Sequence, residues 1–140
     1  MNSCATDTMH FFVIVFCCCC SRYCVSLRDV RRCIVLVKWF REILSNRSSL
    51  SNDDLGKLDE IALSCYEKAR LIDANMRSVV LALAHSYQSR IPTSETRSKY
   101  RQKLSHIFRM YGKITMTEDV MSTIVRAEQE EYLARFVRLV

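Results

Sequence analysis

Residues 25–32, which read VSLRDVRR, open the clearest amphipathic helix of this sequence. Ser26 has the side chain of a helix N-cap. Asp29, three residues later, is placed to reach back to the backbone of Ser26 and to face the positive end of the helix dipole. Apolar residues then recur at helical spacing over about 26–45, which predicts a helix with one face in a core. They are Leu27, Val30, Ile34, Val37, Phe40 and Leu44, with Val35 and Trp39 broadening the apolar surface.

Three arginines lie at the start of this helix. Arg28 stands in its first turn, and Arg31 and Arg32 follow. A positive side chain there opposes the helix dipole, so a negative partner across an interface, such as a phosphate, would explain it. The simpler interpretation is a solvated charge or an ordinary salt bridge to an acidic neighbour, and the pattern alone favours it.

The composition favours helices joined by short polar loops, because the 140 residues include only two glycines and one proline. We predict an all-α fold, a bundle of about five helices. The other four are expected at about 52–72 with a cap at 51–54, at 76–89 as the most buried helix, from Thr93 or Ser94 to Tyr111 with Gly112 ending it, and at 116–139 behind a capping box at 115–118.

No catalytic or metal-binding motif is evident. The sequence has no GxxxxGK[ST], GxGxxG or GxSxG segment. His10, His85 and His106 have no second ligand three or four residues away, and the acidic run 128–131 is expected to be a solvated helix face. The net charge of +6 suits acidic partners, but no basic stripe with interleaved aromatic residues accompanies it, so no specific nucleic-acid partner is expected.

Residues 1–24 form an apolar, cysteine-rich segment of uncertain structure. Its apolar run is about a dozen residues, whereas a membrane-spanning helix needs roughly 20, so a membrane location is not favoured. A signal peptide, a tether through palmitoylated Cys17–Cys20 and a buried strand remain open. We favour a fourth interpretation, that the segment is not native to the domain. Cys33 and Cys65 fall on apolar helix faces and are expected to be small core residues in a reduced compartment.

Several segments, in order, resemble the mysterin family, giant AAA+ ATPases that are also RING-type E3 ubiquitin ligases. The segment 24–32 with Trp39-Phe40 is similar to the family's VSLRDVER…WF segment, although Arg31 stands where the family often has Glu. The segments 77–87 (RSVVLALAHSY) and 100–104 (YRQKL) resemble two later helices. The last helix, with Glu130, Leu133 and Phe136, resembles the segment that leads to the next module. The resemblance covers about residues 24–140.

This resemblance implies the helical lid of one AAA+ module over 25–112 and, over 113–140, a helix that connects to the next module. Arg28 would sense bound nucleotide, Asp29 would fix the helix start, and Arg31 or Arg32 would be second choices. ATP and Mg²⁺ would bind only in the parent enzyme. The implied partners are the rest of the module, neighbouring modules and, through the parent, the ubiquitin machinery, all in the cytoplasm.

The sequence lacks the Walker A, Walker B and RING motifs of that family, so we expect no catalysis by this chain alone. The match begins abruptly at residue 24 or 25, as it would in a truncated gene model. The main rival is a stand-alone helical interaction protein, tethered to a membrane if Cys17–Cys20 are acylated. A basic bundle that binds nucleic acid is a third, weaker hypothesis.

Overall fold

A computed structural model of the chain describes residues 27–136, which contain helices and no β-strand. The predicted all-α bundle is therefore confirmed for this part of the chain. No helix within it is long and apolar enough to cross a lipid bilayer. The elements are α1 (Leu27–Asn46), α2 (Asn52–Leu55), α3 (Glu60–Arg70), α4 (Ala74–Ser86), a 3-10 turn (Gln88–Arg90), α5 (Ser94–Tyr111) and α6 (Glu118–Phe136).

The centre of the bundle is α4, as its apolar sequence predicts. It packs against α1 on one side and α6 on another, while α3 and α5 also pack against α6. One core joins all of these helices except α3, and a smaller cluster around Tyr66 lies beneath the loop after α1. The largest fully buried side chains are Phe108, Leu81, Leu83, Ile124, Val37 and Cys33.

The inner face of α1 agrees with the predicted period, but its apolar surface is narrower than expected. Val37, Phe40 and Leu44 are buried, whereas Val35 and Trp39 are 63% and 53% exposed. The difference follows from the packing of α1 against α4, which covers one side of the helix and leaves the other free. Cys33 is fully buried and Cys65 partly buried.

The prediction of one helix over 52–72 is wrong in one respect, because the structure has two helices in this range. Ser51 caps α2 as predicted, its side-chain oxygen accepting a hydrogen bond from the Asp54 amide at 3.3 Å. The chain then turns at Gly56, and a second cap begins α3: the Asp59 carboxylate accepts from the Ala62 amide at 2.7 Å. A local cap that competes with the helix interior explains the break.

The junction between α5 and α6 also differs from the predicted capping box. Gly112 ends α5 as expected, and Lys113 takes the left-handed conformation with φ 52°. The cap of α6 is Thr117, whose hydroxyl accepts from the Val120 amide at 3.2 Å. Glu118 instead reaches α5, where Ser98 and Arg101 donate hydrogen bonds to it. A charge-assisted bond to a neighbouring helix thus replaces a local one.

The buried side of α6 includes few of its large apolar residues. Ile124 is buried, whereas Leu133 and Phe136 are 49% and 64% exposed. The remaining buried positions are Met121, Ala127, Glu131 and Ala134. Small residues and one carboxylate therefore face α3 over the second half of α6, and larger apolar side chains face outward.

Candidate functional site

The three predicted arginines lie at the exposed start of α1. Arg28, Arg31 and Arg32 are all exposed, and none is within 4.0 Å of a carboxylate of residues 27–136. Of the two simpler interpretations, the ordinary salt bridge is not found among residues 27–136, and the exposed setting of these arginines is that of solvated charges. Asp29 lies in the first turn and accepts a hydrogen bond from Arg90 at 3.2 Å, which ties the start of α1 to the turn after α4. The predicted cap Ser26 lies outside the described residues.

Two of these arginines continue into an exposed apolar surface. Arg28, Arg32, Val35 and Trp39 are spaced by four, three and four residues, so they share one side of the helix. We name these four residues the outer stripe of α1. The stripe is positive at the helix start and apolar towards the middle, with the tryptophan held edge-on against the buried Phe40 ring at 5.0 Å. Such a surface can bind an anion at one end and apolar atoms at the other.

At the opposite end of α1, the structure corrects the expected solvated acidic face. Glu128 and Glu131 both point to Arg47 in the loop after α1. Two hydrogen bonds of 2.9 Å join the Arg47 guanidinium to Glu128, and Glu131 lies 3.1 Å from the same group. Glu131 is buried, with 7% of its surface exposed. The two carboxylates are three residues apart, so they occupy one side of α6.

The charges around Arg47 form a connected network. Arg135 on α6 donates hydrogen bonds to Glu131 and to the carbonyl of Ser48. Helix α6 therefore contacts both Arg47 and the loop that contains it. Burial by itself lowers the pKa of Arg47, but hydrogen bonds and charges from Glu128 and Glu131 outweigh it and raise that pKa above its ordinary value. Arg47 therefore stays charged and fixed in direction.

A cavity of about 200 Å³ opens beside this network. Arg70 stands over the Tyr66 ring at 5.5 Å and donates to Ser49. Arg77 donates to the Ile72 carbonyl at 3.0 Å, and burial lowers its pKa. The lining residues are Leu44, Arg47, Ser48, Ser49, Tyr66, Arg70, Arg77 and Glu131. Sequence reasoning missed this cluster, and only the spacing of Glu128 and Glu131 signalled that they share a face.

The remaining titratable groups do not assemble into a metal site within residues 27–136, where no three His, Cys, Asp or Glu side chains converge. His85 is exposed and its ring lies 5.4 Å from that of Phe40. Burial raises the pKa of Cys33 to about 11. That thiol is protonated at neutral pH and is not a nucleophile.

Comparison of the chain with family models, curated proteins and solved structures gives no match. The resemblance to the mysterin family therefore depends on the sequence segments alone. The observations that bear on function are the outer stripe of α1 and the arginine-lined cavity at the other end of that helix.

Proposed function

We propose that this chain is the helical lid of an AAA+ module in a mysterin-like ubiquitin ligase. In this proposal ATP and Mg²⁺ bind to the rest of the module, and the lid responds to them. The observation that carries the proposal is the outer stripe of α1, in which Arg28 and Arg32 precede the exposed Val35 and Trp39. In this proposal α1 lies against the nucleotide-binding part of the module, and the positive end of the outer stripe faces the phosphates.

The position of Arg28 supports a sensing role. Its guanidinium is on a rigid helix whose other side is buried in the core, and no carboxylate of residues 27–136 neutralises it. A guanidinium without an internal partner can pair with a phosphate at no cost of breaking an existing ion pair. Because the Asp29–Arg90 pair ties the helix start to the bundle, a change at the phosphate would move the lid as one body.

The apolar half of the stripe supports contact with another protein surface. Val35 and Trp39 are large and more than half exposed, and they lie next to each other on the helix. In the proposal they pack against the rest of the AAA+ module, while ubiquitin transfer belongs to other parts of the parent enzyme. This chain contributes movement, not catalysis.

The test is ATP turnover by the longer protein that contains this segment behind a phosphate-binding loop. Arg28→Ala should lower turnover by about a hundredfold, as removal of one donor to the charge that develops in the transition state does. The matched control is Arg109→Ala, since Arg109 is also exposed and on another helix. Turnover that is the same in both variants and the parent would contradict the proposal.

The exposed Trp39 also fits the rival hypothesis of a stand-alone interaction protein. Sedimentation of the 140-residue chain separates the two. A lid removed from its module leaves an uncovered apolar surface and should self-associate without a fixed stoichiometry, and Trp39→Lys should reduce this. A clean monomer or a defined dimer would favour the stand-alone protein.

A further inference from the structure

We propose that the cavity between Arg47, Arg70 and Arg77 binds a phosphate group. The site is distinct from the proposed lid contact, because Arg28 and Arg47 lie at opposite ends of α1, about 28 Å apart at 1.5 Å per residue. The phosphate site is therefore independent of the proposed lid function, and each can be tested without the other.

The net charge around the cavity is positive, which favours an anionic ligand. Three guanidinium groups and the single carboxylate of Glu131 line it, which leaves two positive charges unmatched. Including the adjacent Glu128 and Arg135 does not change this balance, because they add one charge of each sign. Two unmatched positive charges suit a phosphate dianion better than a single carboxylate.

The arginines are held in place before any ligand arrives. Arg47 is fixed by two carboxylates, Arg70 by Ser49 and the Tyr66 ring, and Arg77 by the Ile72 carbonyl. Because these side chains are already ordered, the entropic cost of binding a ligand is smaller. Guanidinium groups also match the spacing of phosphate oxygens, which makes arginine the usual residue for this ligand.

Arg77 gives the strongest support for a phosphate site. No carboxylate of the described residues lies within 4.0 Å of it, although it is half-buried and lines the cavity. Burial lowers its pKa, which shows that desolvation of this charge is only partly compensated by Glu131 and Glu128. A bound phosphate would supply the missing negative charge.

The cavity is also of suitable size. A volume of about 200 Å³ is large enough for the five heavy atoms of a phosphate. Ser48 and Ser49 also line the cavity. The phosphate could be free inorganic phosphate or the phosphate of a nucleotide, since both present the same group.

The test is thermal unfolding of the 140-residue chain with added inorganic phosphate, against sodium chloride at equal ionic strength. Phosphate should raise the melting temperature of the parent chain and of the control Arg109→Gln. In Arg77→Gln the dissociation constant should rise at least about tenfold, because a charge-assisted hydrogen bond is lost. Arg70→Gln should weaken binding similarly while leaving the Arg77–Ile72 bond in place.

A second arm replaces phosphate with AMP. Stabilisation by inorganic phosphate alone would assign the site to the free ion, and a lower dissociation constant for AMP than for inorganic phosphate would assign it to the phosphate of a nucleotide. A melting temperature that responds no more to phosphate than to chloride would overturn the proposal. Equal responses in the parent chain, Arg77→Gln and Arg70→Gln would also overturn it.

Discussion

Arg47 and Glu128 are 81 residues apart in the sequence and form a bidentate ion pair, with both N–O distances at 2.9 Å. Arg47 follows the end of α1, and Glu128 is near the middle of α6. The pair therefore closes the bundle at the end opposite to Arg28. Both side chains are largely buried, at 17% and 18% exposure, so solvent screens their attraction only weakly.

We predict that Arg47→Met destabilises the protein by about 2–4 kcal/mol, because it leaves two partly buried carboxylates without their main cation. Urea unfolding followed by circular dichroism measures the change. Lys99→Met is the control, since the exposed Lys99–Glu95 pair at 3.6 Å should contribute less than about 0.5 kcal/mol. Similar losses in the two variants would show that the Arg47 network adds no more than a surface pair.

Stability should fall in acid partly through Glu118. Hydrogen bonds from Ser98 and Arg101 hold the pKa of this carboxyl below its ordinary value of 4.5. A lowered folded-state pKa contributes stability that is complete above 4.5 and is lost as the pH falls through the folded pKa. Urea unfolding between pH 7 and pH 3 should therefore show a shallower acid loss for Glu118→Gln than for the parent chain.

Ser98→Ala is the companion variant for Glu118. It removes the first of the two donors and keeps the carboxyl, so its acid loss should lie between those of the parent chain and Glu118→Gln. An acid profile of Glu118→Gln that superimposes on the parent profile would show that the Glu118 contacts add nothing to stability.

Gly56→Ala should stabilise the protein by about 0.5–1 kcal/mol, because alanine reduces the entropy of the unfolded chain. Gly56 has φ −64° and ψ −19°, which any residue adopts, so glycine is not needed there. An added Cβ would lie 3.4 Å from the Asp53 carbonyl oxygen and 3.6 Å from that of Asn52, which is ordinary contact. A lower midpoint in thermal unfolding would contradict this prediction.

Much of the fold was accessible from the sequence, because helical period and caps are local signals. The buried side of α1 and the caps at Ser51 and Thr93 follow directly from neighbouring residues. The break at Asp59 was missed since its carboxylate fits either the interior of a helix or a cap. Which of these wins depends on how the loop before α3 packs.

The charged cluster was inaccessible for a different reason. Glu128 and Glu131 look like solvated residues until α6 is placed beside the loop after α1, and nothing local marks Arg47 as their partner. Long-range ion pairs depend on tertiary contacts between residues far apart in sequence. The position of Arg28 was predictable as the start of a helix, whereas its exposed setting depends on which side of α1 the core occupies.

Hydroxyl-radical footprinting of Trp39 tests the proposed lid most directly. The longer protein would be oxidised with and without ATP. The 140-residue chain, diluted until sedimentation shows a monomer, gives the free reference in which Trp39 is 53% exposed. Tyr111, 57% exposed on α5, is the internal control. We expect ATP to protect Trp39 relative to the free chain and to leave Tyr111 reactive. Equal oxidation of Trp39 in the free chain and in the ATP-bound protein would contradict it.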